Sequence, residues 1–179
     1  MGVHARKVRL SSTLRGQQRN VTWDSSINFP AIARIMMIFR PMTIEDYASA
    51  VLLWTRTEGV RLRDADSRAG IEKYLARNPG LSFIAESDGM LVGTIMSGHD
   101  GRRGYIQHLS ILDTYRRRGI GSRLVALCLE ALKKEGVFKS HLMILADNDS
   151  AKLFWSRLGW IGRRDIDLYS FINNESANT

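Results

Sequence analysis

One cysteine, Cys128, stands in 179 residues, so an internal disulfide is excluded. That scarcity fits a reducing compartment, and we read the chain as cytoplasmic. Cys128 falls within an apolar helical pattern, which marks a packed core thiol rather than a nucleophile. Long apolar runs are also missing. None approaches the ~20 residues that a membrane-spanning helix requires, which excludes that kind of membrane partner. Acid is scarce at the start. Residues 1–36 hold six basic side chains against one acidic, Asp24, and so supply five of the eight net positive charges. The remainder is nearly balanced, which argues against nucleic acid as the partner of a folded domain there. There is no internal repeat and no low-complexity segment. What is present is an ordinary apolar fraction, 44%, enough for a real core.

Residues 1–36 show neither strand nor helix periodicity and are rich in Arg, Ser, Thr and Asn. A disordered arm, an Arg- and Ser-rich targeting segment and a start placed upstream of Met36 or Met37 all fit that composition. We favour the last, because regular patterning begins at Met37 and runs on through residues 37–179. Met37 to Pro41 reads as a strand. Thr43 and Asp46 form a capping box that opens a helix ending near Gly59. Ser67 opens a second helix to about Arg77, stopped by Asn78-Pro79-Gly80. Leu81–Ser87 and Met90–Ser97 flank Asp88-Gly89, a strong hairpin signal. Tyr105–Leu112 is a third strand in succession. A helix follows from about Ile120 to Glu135, with Ile120, Leu124, Leu127, Cys128, Ala131 and Leu132 on one face. His141–Ala146 reads as a short strand near the sheet centre. A last helix starts at Asn148 or Asp149, and Trp160–Ile172 supplies one or two closing strands. The expected fold is α/β, with a mixed, mostly antiparallel central sheet flanked by about four helices.

The most informative stretch is Leu109 to Ser122, a strand running into a basic turn and then a helix. Gly119 and Gly121 lack a side chain, so the backbone there can approach a ligand closely. The first N–H groups of the following helix lack intrahelical partners and, with the helix dipole, suit a phosphate. Arg116, Arg117 and Arg118 add positive charge beside them.

Arg116-x-x-Gly119-x-Gly121 resembles motif A of the GNAT acetyltransferases, which bind acetyl-CoA. Asn148-x-x-Ala151-x-x-x-Trp155-x-x-x-Gly159-Trp160 resembles a second signature of that family. The resemblance covers Met37 to about Ile172. It implies an acetyl-CoA-dependent transfer of acetyl directly to a primary amine, without a metal. It further implies backbone pairing of Leu109, Ser110 and Ile111 with the pantetheine arm, an oxyanion-donating amide at Ile111, and a diphosphate held by Arg116, Arg117, Arg118, Gly119, Ile120 and Gly121. Asn148 would hydrogen-bond the cofactor near its thiol end.

Two positions depart from the family pattern. Trp155 replaces the tyrosine that protonates the departing thiolate in many members, and an indole is no practical acid; we read it as a packing aromatic. No Glu or His stands at Tyr105 or Gln107, where some members place a base. Strand alternation puts Tyr105, Gln107, Leu109 and Ile111 on one face, with Tyr105 and Gln107 as the substrate-facing pair, and His108 and Ser110 on the other. On that count His108 is a weak base candidate and a structural histidine. His99 and Asp100 read as a hydrogen-bonded turn. Asp64 and Asp66 lie in a loop that often covers the acceptor site, where they would attract a cationic amine, though a solvated loop is the plainer account. The catalytic acid and base are left unassigned. The acceptor is a small-molecule or protein amine, and a homodimer is compatible with the sequence. A non-catalytic acyl-CoA sensor is the alternative function, and a nucleic-acid binder using the basic tail is a third.

Overall fold

The computed structural model describes residues 36–173. The tail read over residues 1–36 therefore lies outside the described residues, save Met36. Five strands form one sheet in chain order: β1 Met37–Pro41, β2 Phe83–Ser87, β3 Met90–His99, β4 Gly104–Ile111 and β5 Ser140–Leu142. All neighbours are antiparallel except β4 and β5, which run parallel. The helices are α1 Tyr47–Trp54, α2 Arg68–Arg77, α3 Ile120–Lys134 and α4 Asp149–Arg157. The expected fold class is the one observed.

Local chemistry explains most boundaries. Asp46 accepts the Thr43 N–H at 2.9 Å, closing the capping box over a single 3-10 turn before α1. Arg40 grips the same carboxylate with both arms of its fork, at 2.7 and 2.8 Å. α1 stops at Trp54, short of Gly59. The hydroxyls of Thr55 and Thr57 donate back to the carbonyls of Leu52 and Leu53 and compete with further helix. Asp88 and Gly89 take φ of 49° and 79°, the two left-handed residues that a tight hairpin turn needs.

The sheet separates two cores. α1 and α2 cover one face, where Trp54, Ile71, Ile84 and Met96 are buried. α3 covers the other, with Ala85, Ile95, Leu124, Cys128, Leu132 and Trp155. Ile84 and Ala85, like Ile95 and Met96, are neighbours in sequence and point to opposite cores, as pleating demands.

Two expectations fail here. β5 holds three residues and lies at the sheet edge, not near its centre. Residues 160–173 form no strand. Alternation tells that a segment can pair, not that an edge is available to it. β5 ends at Leu142, and Ile166, Leu168, Tyr169 and Phe171 stay exposed.

Candidate active site

Between β4 and α3 the chain makes a single 3-10 turn, Asp113–Tyr115, then reverses twice. Arg117 takes φ +59° and Gly119 φ +80°, both left-handed. Successive N–H groups thereby turn into one concavity, the geometry of an anion-binding nest. The N–H groups from Gly119 to Ser122 meet no acceptor among the described residues; the next one, that of Arg123, is bonded to the Gly119 carbonyl at 3.0 Å. A side chain at Gly119 would meet open space, so its glycine answers to backbone conformation alone. Gly121 differs. A Cβ there would stand 3.3 Å from the Phe154 ring, so that glycine lets α3 and α4 pack closely. The three arginines also part ways. Arg116 folds back, its Nε donating to the Ile111 carbonyl at 3.2 Å and its fork pairing with Asp113 at 3.0 Å. Arg118 stacks over Tyr115, 4.9 Å from the ring centre. Arg117 has no side-chain partner among the described residues.

β4 and β5 pair at Gly104↔Ser140, Tyr105↔His141 and Ile106↔Leu142, then separate. Beyond Ile106 the edge of β4 that faces away from β3 is open, and this cleft ends at the nest. The Leu112 N–H donates to Val92 on β3 at 2.9 Å, so by alternation the Ile111 N–H points into the cleft. Leu109 and Ile111 pack their side chains against the α3 core, and Ser110 is buried. Only the main chain of these residues borders the opening.

The β3–β4 register slips: Thr94 faces Ser110, whereas Met96 faces Gln107. Ile95 therefore opposes two residues, His108 and Leu109, and His108 takes φ +50°. A bulge of this kind re-aims side chains. It corrects the alternation count. Tyr105, Gln107, His108 and Ser110 share the α1–α2 face, whereas Leu109 and Ile111 face α3. The His108 ring sits edge-on to Trp54, centroids 4.6 Å apart, and its Nε2 lies 2.8 Å from Asp66 Oδ1. Trp54 donates to the Thr94 hydroxyl at 2.8 Å, and that hydroxyl donates to the His108 carbonyl at 3.0 Å. Asp66 also accepts the Arg63 N–H at 2.8 Å, and its carbonyl accepts from Tyr47. Burial opposes ionisation of Asp66 most strongly, but the hydrogen bonds from His108 and the Arg63 backbone outweigh it and hold the carboxyl below its ordinary value. Asp66 is thus no solvated loop carboxylate. The pairing with His108 spans 42 residues and has no local signal in the sequence.

Asn148 caps α4, its Oδ1 accepting the Ala151 N–H at 2.9 Å, and its amide nitrogen lies against Gly59. Trp155 is buried between Phe154 and Trp160, ring centres 5.2 and 5.0 Å away. Tyr105 and Gln107 line a cavity of ≈ 180 Å³ with Tyr74, Arg77 and His99. His99 Nδ1 accepts the Gly101 N–H, and Asp100 accepts those of Arg102 and Arg103, which explains that pair as a turn. A larger groove of ≈ 660 Å³ lies outside β5, against Phe138 and Trp160, and touches none of the expected cofactor residues. Among the described residues no cluster of His, Cys, Asp or Glu is placed to hold a metal, and no helix is long and apolar enough to cross a membrane.

Solved structures share this architecture. Ard1 from Thermoplasma volcanium superposes with a TM-score of 0.63 at 20% identity, over 70% of this chain and 82% of that one. PaiA N-acetyltransferase from Thermoplasma acidophilum, solved in complex with coenzyme A, gives 0.62 at 18% identity, over 69% and 89%. Residues 47–160 match the profile of the acetyltransferase (GNAT) family, and the chain belongs to that family. An acetyltransferase of Pectobacterium atrosepticum is 33% identical over 64% of this chain and 80% of its own length. One from Sodalis glossinidius is 34% identical over 68% and 85%. The protein is an acyltransferase of this bacterial type.

Proposed function

We propose that the protein transfers acetyl from acetyl-CoA directly to a primary amine in the cytoplasm. The unbonded N–H row from Gly119 to Ser122, opening onto the separated strands β4 and β5, carries this reading. The nest, with the Arg117 side chain and the α3 dipole, holds a diphosphate. The open edge of β4 at Leu109–Ile111 offers main-chain pairing to an amide-bearing arm. The Ile111 N–H is aimed at the thioester carbonyl and stabilises the charge that develops on its oxygen. Acetyl-CoA supplies the activated acyl group. The amine approaches from the α1–α2 face, over Tyr105 and Gln107, and alignment against the thioester provides much of the rate. Trp155, enclosed by aromatic rings, donates no proton to the departing thiolate, which leaves on its own modest basicity. Coenzyme A in the structural neighbour PaiA supports the choice of donor.

The test is calorimetry with CoA and acetyl-CoA, followed by free-thiol release with a panel of amines. Binding together with thiol release on at least one amine is expected. No heat with either ligand refutes the site. Binding without release on any amine refutes the enzyme reading in favour of a sensor.

A further inference from the structure

We infer that His108 is the group that accepts the amine's proton, with Asp66 as the residue that positions it. This rests on the transfer reaction proposed above.

The backbone at His108 has φ +50°, a conformation that glycine or asparagine adopts with less strain. That conformation belongs to the bulge, which turns the side chain to the α1–α2 face. That side chain is held from three sides. Nε2 meets Asp66 at 2.8 Å, Trp54 presses edge-on at 4.6 Å, and the His108 carbonyl is fixed by Thr94. The ring keeps only 16% of its surface open.

The tautomer follows from the partner. Asp66 is held ionised, its Oδ2 already accepting the Arg63 N–H, so its Oδ1 can only accept from Nε2. Nε2 therefore carries the hydrogen, and in the neutral ring Nδ1 bears the lone pair. Nδ1 takes no hydrogen bond among the described residues. The bulge places His108 on the same face as Tyr105 and Gln107, immediately before the open stretch Leu109–Ile111. The other groups around it are few. Asp66 sits with Arg63 and Asp64 on one turn, Tyr47 reaches the Asp66 carbonyl, and Arg68 lies over the Tyr47 ring. α1 and β3 contribute Trp54 and Thr94, neither of which titrates near neutrality.

The step balances simply. The amine lone pair forms the N–C bond to the thioester carbon, and the carbonyl pair moves to oxygen, facing the Ile111 N–H. His108 Nδ1 takes the proton that the nitrogen sheds, and Asp66 steadies the imidazolium. The carbonyl reforms, the C–S bond breaks with its pair on sulfur, and the imidazolium returns its proton through solvent to the thiolate.

The test compares wild type with H108Q and D66N, using an amine that supports turnover. Gln at 108 retains an N–H toward Asp66 and lacks the titrating lone pair. Acetyl-CoA affinity by calorimetry and the melting temperature serve as controls. Wild-type kcat at saturating amine has a rising limb on the acid side, because a base must be unprotonated to accept a proton. H108Q loses that limb and about 100-fold or more in kcat, with acetyl-CoA affinity unchanged. D66N keeps the limb but lowers kcat with the KM for the amine unchanged, because the ring has lost the carboxylate that orients it. A wild-type profile in H108Q overturns the inference and leaves the transfer reaction standing. If H108Q does not fold, an unchanged kcat in D66N overturns it equally. Failure of the wild type to release thiol with any amine removes both readings.

Discussion

Replacing Gly119 with valine probes the nest without touching any side chain that packs. Gly119 has φ +80°, and a Cβ there meets nothing within 4 Å, so the cost is conformational rather than steric. A β-branched residue in the left-handed region is strained by about 1–3 kcal/mol. The chain escapes that strain by rotating φ to negative values, which turns neighbouring N–H groups out of the concavity. Losing two charge-assisted bonds to a diphosphate, at about 1.5–3 kcal/mol each, weakens binding by roughly 3–6 kcal/mol. That is about two to four powers of ten in Kd. The assay is calorimetry with CoA. Gly136→Val is the matched control at the other end of α3. Its φ is +76°, again with nothing within 4 Å of a Cβ. Both variants should lose comparable stability, about 2–4 °C in Tm for each kcal/mol of strain. Only the Gly119 variant should lose CoA. Equal affinities, within about threefold, refute the reasoning that a left-handed glycine shapes the diphosphate site.

Asp46 sets part of the acid stability. Burial opposes its ionisation most, yet the Arg40 fork and the Thr43 N–H prevail and hold the carboxyl below its ordinary 3.8. A depressed folded value contributes stability that is full above the unfolded pKa and is lost as pH falls through the folded one. Melting temperature should therefore drop below pH ~4, and D46N should lose about 1.5–3 kcal/mol at neutral pH and flatten that acid limb; an unchanged pH–stability curve argues against the assignment. Cys128 is fully buried, and burial pushes its thiol up to about 12. A thiol reagent should leave the native protein unlabelled and label one site in denaturant, so rapid native labelling contradicts this core. Trp54→Phe removes the indole donor to Thr94 and should cost about 1–3 kcal/mol, read by denaturant unfolding, with CoA affinity unchanged.

The order of elements, the Asp88-Gly89 hairpin and the long helix α3 were legible because each is written in neighbouring residues. So was the sharp turn at Gly119, between a strand and a helix start, where the backbone is left-handed. The closing strands over Trp160–Ile172 were not, since alternation there needs an edge that β5, ending at Leu142, does not extend far enough to supply. A packing demand on Gly121 was hidden for a similar reason. Its neighbour is Phe154, on a different helix. The contacts of Arg116 with the Ile111 carbonyl and Asp113 were likewise not readable from the motif spacing.

The sequence by itself determined the fold class and the family, because turn chemistry, motif spacing and hydrophobic period are local properties. The tertiary structure alone decided which face His108 occupies and that Asp66 meets it. One extra residue in β4 opposite Ile95 inverts every side chain counted across it, and a contact spanning 42 residues leaves no periodic trace in the chain.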